Sequence, residues 1–278
     1  MRLILSILLV LVAFAANSLL NRLAVGSGSA DPAGFAVLRV AAGSLVLLML
    51  ALAQGKGLPL RLTPRRIIGA ASLALYMAGF SLGYLTLDAG IGALLLFGVV
   101  QVSMLSITAL RGAGPTPRQV IGAGIALAGL AVVLWPAGAW QIAPKGALFM
   151  ALAGLGWGLY TLAGQDEPDA LSGTAANFVW ALPLTALVLP FGPVPLAMDG
   201  AGVALAVLSG AVTSGLGYAL WYRVLPQISA ATAATLMVTV PLIAMLGGVV
   251  FLGEVITLRF ALGAATVLGG VLLSIRRA

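Results

Sequence analysis

Runs of apolar residues, each close to bilayer length, follow one another along this chain with little between them. A helix needs about 20 apolar residues to cross the hydrocarbon core. Breaking the chain at charges and at Pro/Gly clusters gives ten such runs, near 3–24, 33–53, 67–87, 90–110, 117–136, 145–164, 171–190, 200–222, 228–252 and 257–275. They use most of the 278 residues, so no extramembrane domain is expected. In lipid, every backbone N–H and C=O must be satisfied within its own segment or in a closed barrel, and runs of this length select helices.

Composition removes the alternatives. Hydrophobic residues make up 62% of the chain and charged residues 8%, against roughly 25% charged in soluble domains. A soluble enzyme, a disordered chain and a nucleic-acid binder with a basic face are excluded, because none could hide this much apolar surface. Cys and His are both absent. Thiol nucleophiles, disulfides, Cys/His zinc sites, Ser-His-Asp triads and histidine proton switches go with them. No metal or cofactor is expected. The net charge of +7 reads as the positive-inside bias of membrane proteins.

With the N-terminus inside, the inner segments carry Arg2, Lys56, Arg61, Arg65, Arg66, Arg111, Arg118, Arg223, Arg276 and Arg277. The outer segments carry only Arg22, Lys145 and Arg259. Both termini are therefore expected in the cytoplasm, with the chain in a bacterial inner membrane. One inner loop dissents, carrying Asp166, Glu167 and Asp169; acidic residues contribute little to this rule. Run 1 has a rival reading as a signal peptide, from Arg2 and the Ala13-Phe14-Ala15 sequence. Its apolar character continues through Leu20, so a span is expected.

A shift of 141 residues lays Thr116, Arg118, Gly122, Ala123, Leu127 and Gly129 over Thr257, Arg259, Gly263, Ala264, Leu268 and Gly270. The same shift sets run 1 on run 6 and run 2 on run 7. A repeat of five spans must insert its halves with opposite orientation. The expected fold is an all-α membrane protein of ten transmembrane helices, as two inverted five-helix repeats over 1–138 and 139–278. Inverted repeats of this kind generate alternating access around a midplane site, which points to a transporter.

The segment from Leu236 to Leu273 has a mid-helix proline (Pro241), Leu252-Gly253-Glu254 at a helix end, and a last helix with Gly263, Gly269 and Gly270. With Arg39 in run 2, this pattern resembles the EamA domain of the drug/metabolite transporter superfamily. Within it, the chain resembles the aromatic amino-acid exporter (YddG-like) branch. The resemblance implies a ten-helix exporter whose last helix in each half is peripheral. Half one departs from the pattern: Val100 stands opposite Pro241, and Arg111-Gly112-Ala113 replaces Leu-Gly-Glu.

Candidate substrate-binding residues are the polar and aromatic side chains within the runs. Arg39 is the one charge inside a span, and insertion scales set its cost at about 2.5–3.5 kcal/mol. It either faces a cavity and attracts a substrate carboxylate or caps carbonyls of a neighbouring helix. Gln101 lies in mid-span and either reads a substrate or bridges helices. Asn17 and Asn177 are open between the same two roles. Tyr76, Trp157, Trp180 and Tyr218 are expected inside, as an aromatic pocket or as packing, whereas Trp135, Trp140, Trp221 and Tyr222 read as interfacial rings. Pro183 and Pro241 read as kinks for gating or packing, with Thr235 and Thr239 supplying hydroxyls near the latter. Gly122 and Gly129, and Gly263 and Gly270, share helix faces and read as close-packing seams. Asp31, Asp88, Asp199 and Glu254 fall at span ends, so no buried carboxylate relay is expected.

The expected function is secondary export of small amphipathic metabolites, namely amino acids and aromatic ones among them. The expected partners are a small-molecule substrate and the lipid bilayer, with no nucleic acid; nothing in the residues sets the oligomeric state. The alternatives are a lipid- or prenyl-phosphate-modifying membrane enzyme, which would need clustered acids or metal ligands, and a non-transporting scaffold.

Overall fold

The computed structural model describes residues 2–55, 57, 60–112, 115–135, 143–165, 167–189, 197–228 and 236–275. Lys56, Trp140, Asp166, Thr235, Arg276 and Arg277, which carried expectations above, lie outside the described residues.

Ten helices form among the described residues: α1 (Arg2–Gly26), α2 (Pro32–Ala53), α3 (Pro64–Tyr84), α4 (Ala89–Leu110), α5 (Pro117–Leu134), α6 (Pro144–Gly164), α7 (Ala170–Ala186), α8 (Gly200–Gln227), α9 (Thr239–Leu252) and α10 (Leu258–Ile275). No strand accompanies them there; an isolated bridge joins Ala30 to Met198. Seven helices, α1 to α6 and α8, are long and apolar enough to cross a membrane, and α9 and α10 are shorter apolar helices. Part of the expected ninth run, 229–235, lies outside the described residues.

Local chemistry explains where the helices begin. Pro32, Pro64, Pro117 and Pro144 stand in the first turn of α2, α3, α5 and α6, where a missing N–H costs nothing. Asp31, Thr63, Thr116, Asp169 and Asp199 accept first-turn N–H groups as N-caps. The acids at span ends thus sit where the helix dipole favours negative charge.

α8 is irregular. It is α-helical over Gly200–Val207, π-helical over Leu208–Leu216 and α-helical again over Gly217–Val224, and it ends in a 3-10 turn over Leu225–Gln227.

Among the helix pairs that pack are α1 on α8, α3 on α6, α2 on α7, α4 on α9 and α5 on α10. The last pair is a glycine seam. A Cβ added at Gly122 would lie 2.5 Å from the Gly270 carbonyl, and one at Gly270 equally close to the Gly122 carbonyl. Gly129 and Gly263 face each other in the same way, as the seven-residue spacing predicts. The pair α3–α6 uses Gly79 against the Phe149 carbonyl and Gly156 against the Ser72 carbonyl. Without a hydrophobic drive between helices in lipid, such close backbone approach supplies the packing energy.

The interior holds Phe35, Phe80, Tyr84, Met150 and Phe178, all fully buried. Leu5, Leu9, Leu45, Leu246, Phe251 and Leu262 point outward, a distribution that suits a hydrocarbon surround.

Candidate functional site

Rings from five helices meet in the middle of the bundle. Trp157 of α6 stacks at 4.9 Å on Tyr76 of α3, at 5.5 Å on Tyr160 and at 5.5 Å on Tyr218 of α8. Phe14 of α1 meets Tyr218 edge-on at 5.5 Å and Trp221 at 6.2 Å. Phe178 of α7 closes the cluster against Tyr218 at 5.8 Å. Edge-on and tilted pairs at these distances suit the ring quadrupoles.

Two cavities open beside these rings. The first, about 310 Å³, runs along α4 past Leu94, Phe97 and Gln101 to Met237, Val238 and Val271. The second, about 320 Å³, includes Tyr160, Thr174, Asn177 and Glu167 and reaches Gln165, Ala170 and Leu225. Phe14, Trp157, Thr161, Trp221 and Leu225 line both, so the two lie side by side. They lead to the end of the bundle where α6 and α8 finish and α7 starts. A third space of only 30 Å³, lined by Asn17, Ser18, Tyr76 and Phe80, lies deeper.

A polar network lies behind that deep space. Arg39 is fully buried. Its Nε donates to Ser214 Oγ at 3.2 Å and its Nη2 to Tyr76 Oη at 3.1 Å. The guanidinium stacks over Phe80 at 4.9 Å and near Tyr76 at 5.5 Å, and Nη1 has no partner. Asn17 Oδ1 accepts from Ser209 at 2.8 Å, Thr213 at 2.6 Å and Ser214 at 3.4 Å. The π-helical stretch makes this possible. Its wider turn brings residues 209, 213 and 214 onto one face, and such insertions recur at functional sites. Arg39 lines none of the three cavities, and touches the deep one through Tyr76 and, by way of Ser214, Asn17.

The other sequence candidates divide. Gln101 lines the first cavity and donates to Ser274 Oγ of α10 at 2.8 Å, so it both faces the space and bridges helices. Asn177 lines the second cavity, and its Oδ1 accepts from Arg66 at 2.8 Å. Trp180 is not brought to the cavities: its indole N–H donates to the Leu60 carbonyl at 2.9 Å. Trp221, read as an interfacial ring, lines both cavities instead. Pro241 stands in the first turn of α9 rather than in mid-helix, just after a turn at Val238. Lacking an N–H for the Met237 carbonyl, it accounts for that break, and Met237 and Val238 line the first cavity. Thr239 donates to the Leu236 carbonyl at 2.7 Å across the same turn. Pro183 lies inside α7, away from the cavity lining.

Sequence reasoning missed a second charged cluster. Arg66, counted there as an orientation charge, is buried. It donates to Glu167 Oε2 at 2.9 Å, to the Gly173 carbonyl at 2.6 Å and to Asn177. The dissenting acidic loop was the available signal. Among the described residues no group of three or more Asp, Glu, His or Cys could hold a metal.

A family model of the EamA-like transporter family matches residues 144–276. The threonine/homoserine exporter RhtA of Salmonella typhimurium is 30% identical over 241 residues, 81% of this chain and 75% of that protein. The chain belongs to the EamA-like transporter family. An uncharacterized protein of Pseudomonas aeruginosa is 44% identical over 273 residues, covering 98% of this chain and 94% of its own. A protein of Streptantibioticus cattleyicolor named "Probable terminal-alkyne amino-acid exporter" is 27% identical over 76% of this chain and 72% of its own. A solved crystal structure matches with a TM-score of 0.65 over 96% of both chains at 22% identity, a likeness of fold alone. Membership and the apolar helices make this EamA protein an integral membrane transporter.

Proposed function

We propose that this EamA protein is a secondary transporter of the bacterial inner membrane that exports small amphipathic metabolites, amino acids and aromatic ones among them. The observation that carries this reading is the ring-lined cavity pair, which reaches one end of the bundle, with the Asn17–Ser214–Arg39 network behind the small deeper space. An apolar body fits among Phe14, Trp157 and Trp221. Gln101, Asn177, Asn17 and Tyr76 supply polar contacts, and Arg39 acts through Tyr76 and Ser214. The names of two relatives, exporters of amino acids, support the substrate class; neither name specifies an aromatic one.

Alternating access is the mechanism of this reading. Exchanging the halves turns the pair α1–α8 into α6–α3, and returns α2–α7, α4–α9 and α5–α10 to themselves. All five pairs occur, which supports two inverted five-helix repeats split near residue 138. The Lys/Arg count assigns the open end to the cytoplasm, with both termini there. A substrate would then enter from inside and leave outward once the opposite end parts.

Counterflow of labelled amino acids in liposomes tests this reading. The wild type is expected to exchange them, and Gln101→Ala and Tyr76→Phe to lower the rate at least tenfold. Absence of wild-type flux across a broad amino-acid and metabolite panel would overturn the reading.

A further inference from the structure

Among the described residues, the three ring-lined cavities are bordered by no Lys or Arg, and by a single carboxylate, Glu167. Its position follows from the sequence: Asp169 is committed to capping α7 through the Leu171 and Ser172 N–H groups, which fixes the loop two residues ahead. Arg66 then braces Glu167 from behind, through Oε2 alone. A carboxylate offers about four acceptor positions on two oxygens, and Oε1 makes no hydrogen bond among the described residues. The same cavity carries Trp157, Tyr160, Tyr218 and Trp221, rings whose faces attract organic cations.

Resting on the transporter reading, we propose that Glu167 is the recognition point for a substrate ammonium group. The substrate class is then a primary amine on an apolar or aromatic body, the α-amino group of an amino acid included. Arg66 orients the carboxylate without occupying its second oxygen, and the rings take the organic body. The substrate's amine therefore docks at the open end.

The test is direct binding of phenethylamine to the purified protein, read by quenching of tryptophan fluorescence, with phenylacetate as the anionic counterpart. Trp157 and Trp221 report on the cavity. The wild type should bind phenethylamine saturably. Glu167→Gln, which keeps the shape and one acceptor, should weaken it at least tenfold and leave phenylacetate unchanged. Glu167→Asp should retain more affinity than Glu167→Gln, which a purely structural role would not require. Equal phenethylamine affinity in wild type and a folded Glu167→Gln overturns the proposal, as does absence of saturable binding to the wild type. Should Glu167→Gln not fold, Arg66→Gln/Glu167→Gln, which removes both charges, takes its place with the same expectation. Flux separates the two readings: amine binding without flux defeats the transporter reading alone, and amino-acid flux unchanged in Glu167→Gln defeats the amine site alone.

Discussion

The two ends of the bundle are built on opposite plans. At one end the cavities reach Gln165 and Leu225, and the strongest polar cluster, Arg66 with Glu167 and Asn177, joins α3 to the segment before α7 on a single wall. At the other end, polar contacts run across the bundle axis. Asn21 donates to Ser81 at 2.9 Å, and Arg22 donates to the Tyr84 carbonyl at 3.1 Å and meets Asp88 at 3.4 Å. Glu254, between α9 and α10, accepts the Ala89 and Gly90 N–H groups of α4 at 2.5 and 3.2 Å. Asp88, the residue placed to cap α4, makes no side-chain cap bond of its own; the cap comes from the other half of the chain. The space beside it measures 10 Å³. A brace along one wall stabilises without closing, whereas several modest contacts across the axis close without much stability in any one of them.

The largest expected effect is therefore at the open end, on stability. Arg66→Ala leaves the half-buried Glu167 without its charge partner and removes the bonds to the Gly173 carbonyl and Asn177, which costs about 3 kcal/mol. A drop in the detergent melting temperature larger than that of any closed-end variant is expected. The charge-free pair Arg66→Met/Glu167→Leu should recover most of it. A melting temperature unmoved by Arg66→Ala would break the comparison.

The next effect is at the closed end, on opening. The chain has no cysteine, so Ser18→Cys, beside the deep 30 Å³ space, gives a clean reporter for an impermeant thiol reagent added outside sealed vesicles. Losing a helix cap typically costs about 1 kcal/mol, so Glu254→Ala should speed labelling roughly fivefold. Arg66→Ala should leave it unchanged. Equal acceleration by both would mean that the two ends do not differ in the way described.

Acidity sharpens the same contrast. Burial pushes the Glu254 carboxyl above its ordinary 4.5, against the lowering pull of the Ala89 and Gly90 N–H groups; Asp88 adds to the rise and Arg22 opposes it. The closed arrangement therefore holds a proton more tightly than the opened one. This favours closure fully below about 4.5, and the gain is lost as pH rises through the raised value. Once divided by the rate of a free thiol at the same pH, because only the thiolate reacts, labelling of Ser18→Cys should slow as external pH falls toward that range, and Glu254→Gln should leave only the thiol's own dependence.

How much of this was legible in the sequence depends on whether one helix or several decide the feature. Run length and caps belong to single segments, so the ten helices and the proline starts follow from the residues alone. The α5–α10 seam was also legible, because Gly122 and Gly129, like Gly263 and Gly270, repeat at seven. The rotation of each helix about its axis was not. It turns Trp221 into the cavities and Trp180 out of them, although both rings sit in comparable apolar contexts. Arg39 stood out as a charge in a span, yet its partners Ser214, Tyr76 and Phe80 come from α3 and α8, and the π-helical stretch that brings Ser214 to it has no periodic signature. Arg66 was counted as an inner orientation charge and Glu167 as part of a dissenting acidic loop, and the pairing escaped notice because it joins residues 101 positions apart.

The smallest expected effect tests whether the closed end is held by a sum of weak contacts or by Glu254 alone. Asn21 gives one hydrogen bond to Ser81, and its Oδ1 is buried without a partner. An interhelical bond of this kind is worth about 0.6 kcal/mol in membrane proteins, and the unpaired oxygen offsets part of that. Asn21→Ala should then speed Ser18→Cys labelling no more than about threefold, close to RT in free energy. Combined with Glu254→Ala, the two free-energy effects should add, so that labelling speeds up by the product of the two factors, since the two side chains share no partner. A jump far above that product would mean that Asn21 and Glu254 hold one cooperative gate, and the closed end would then resemble the open one in resting on a single cluster.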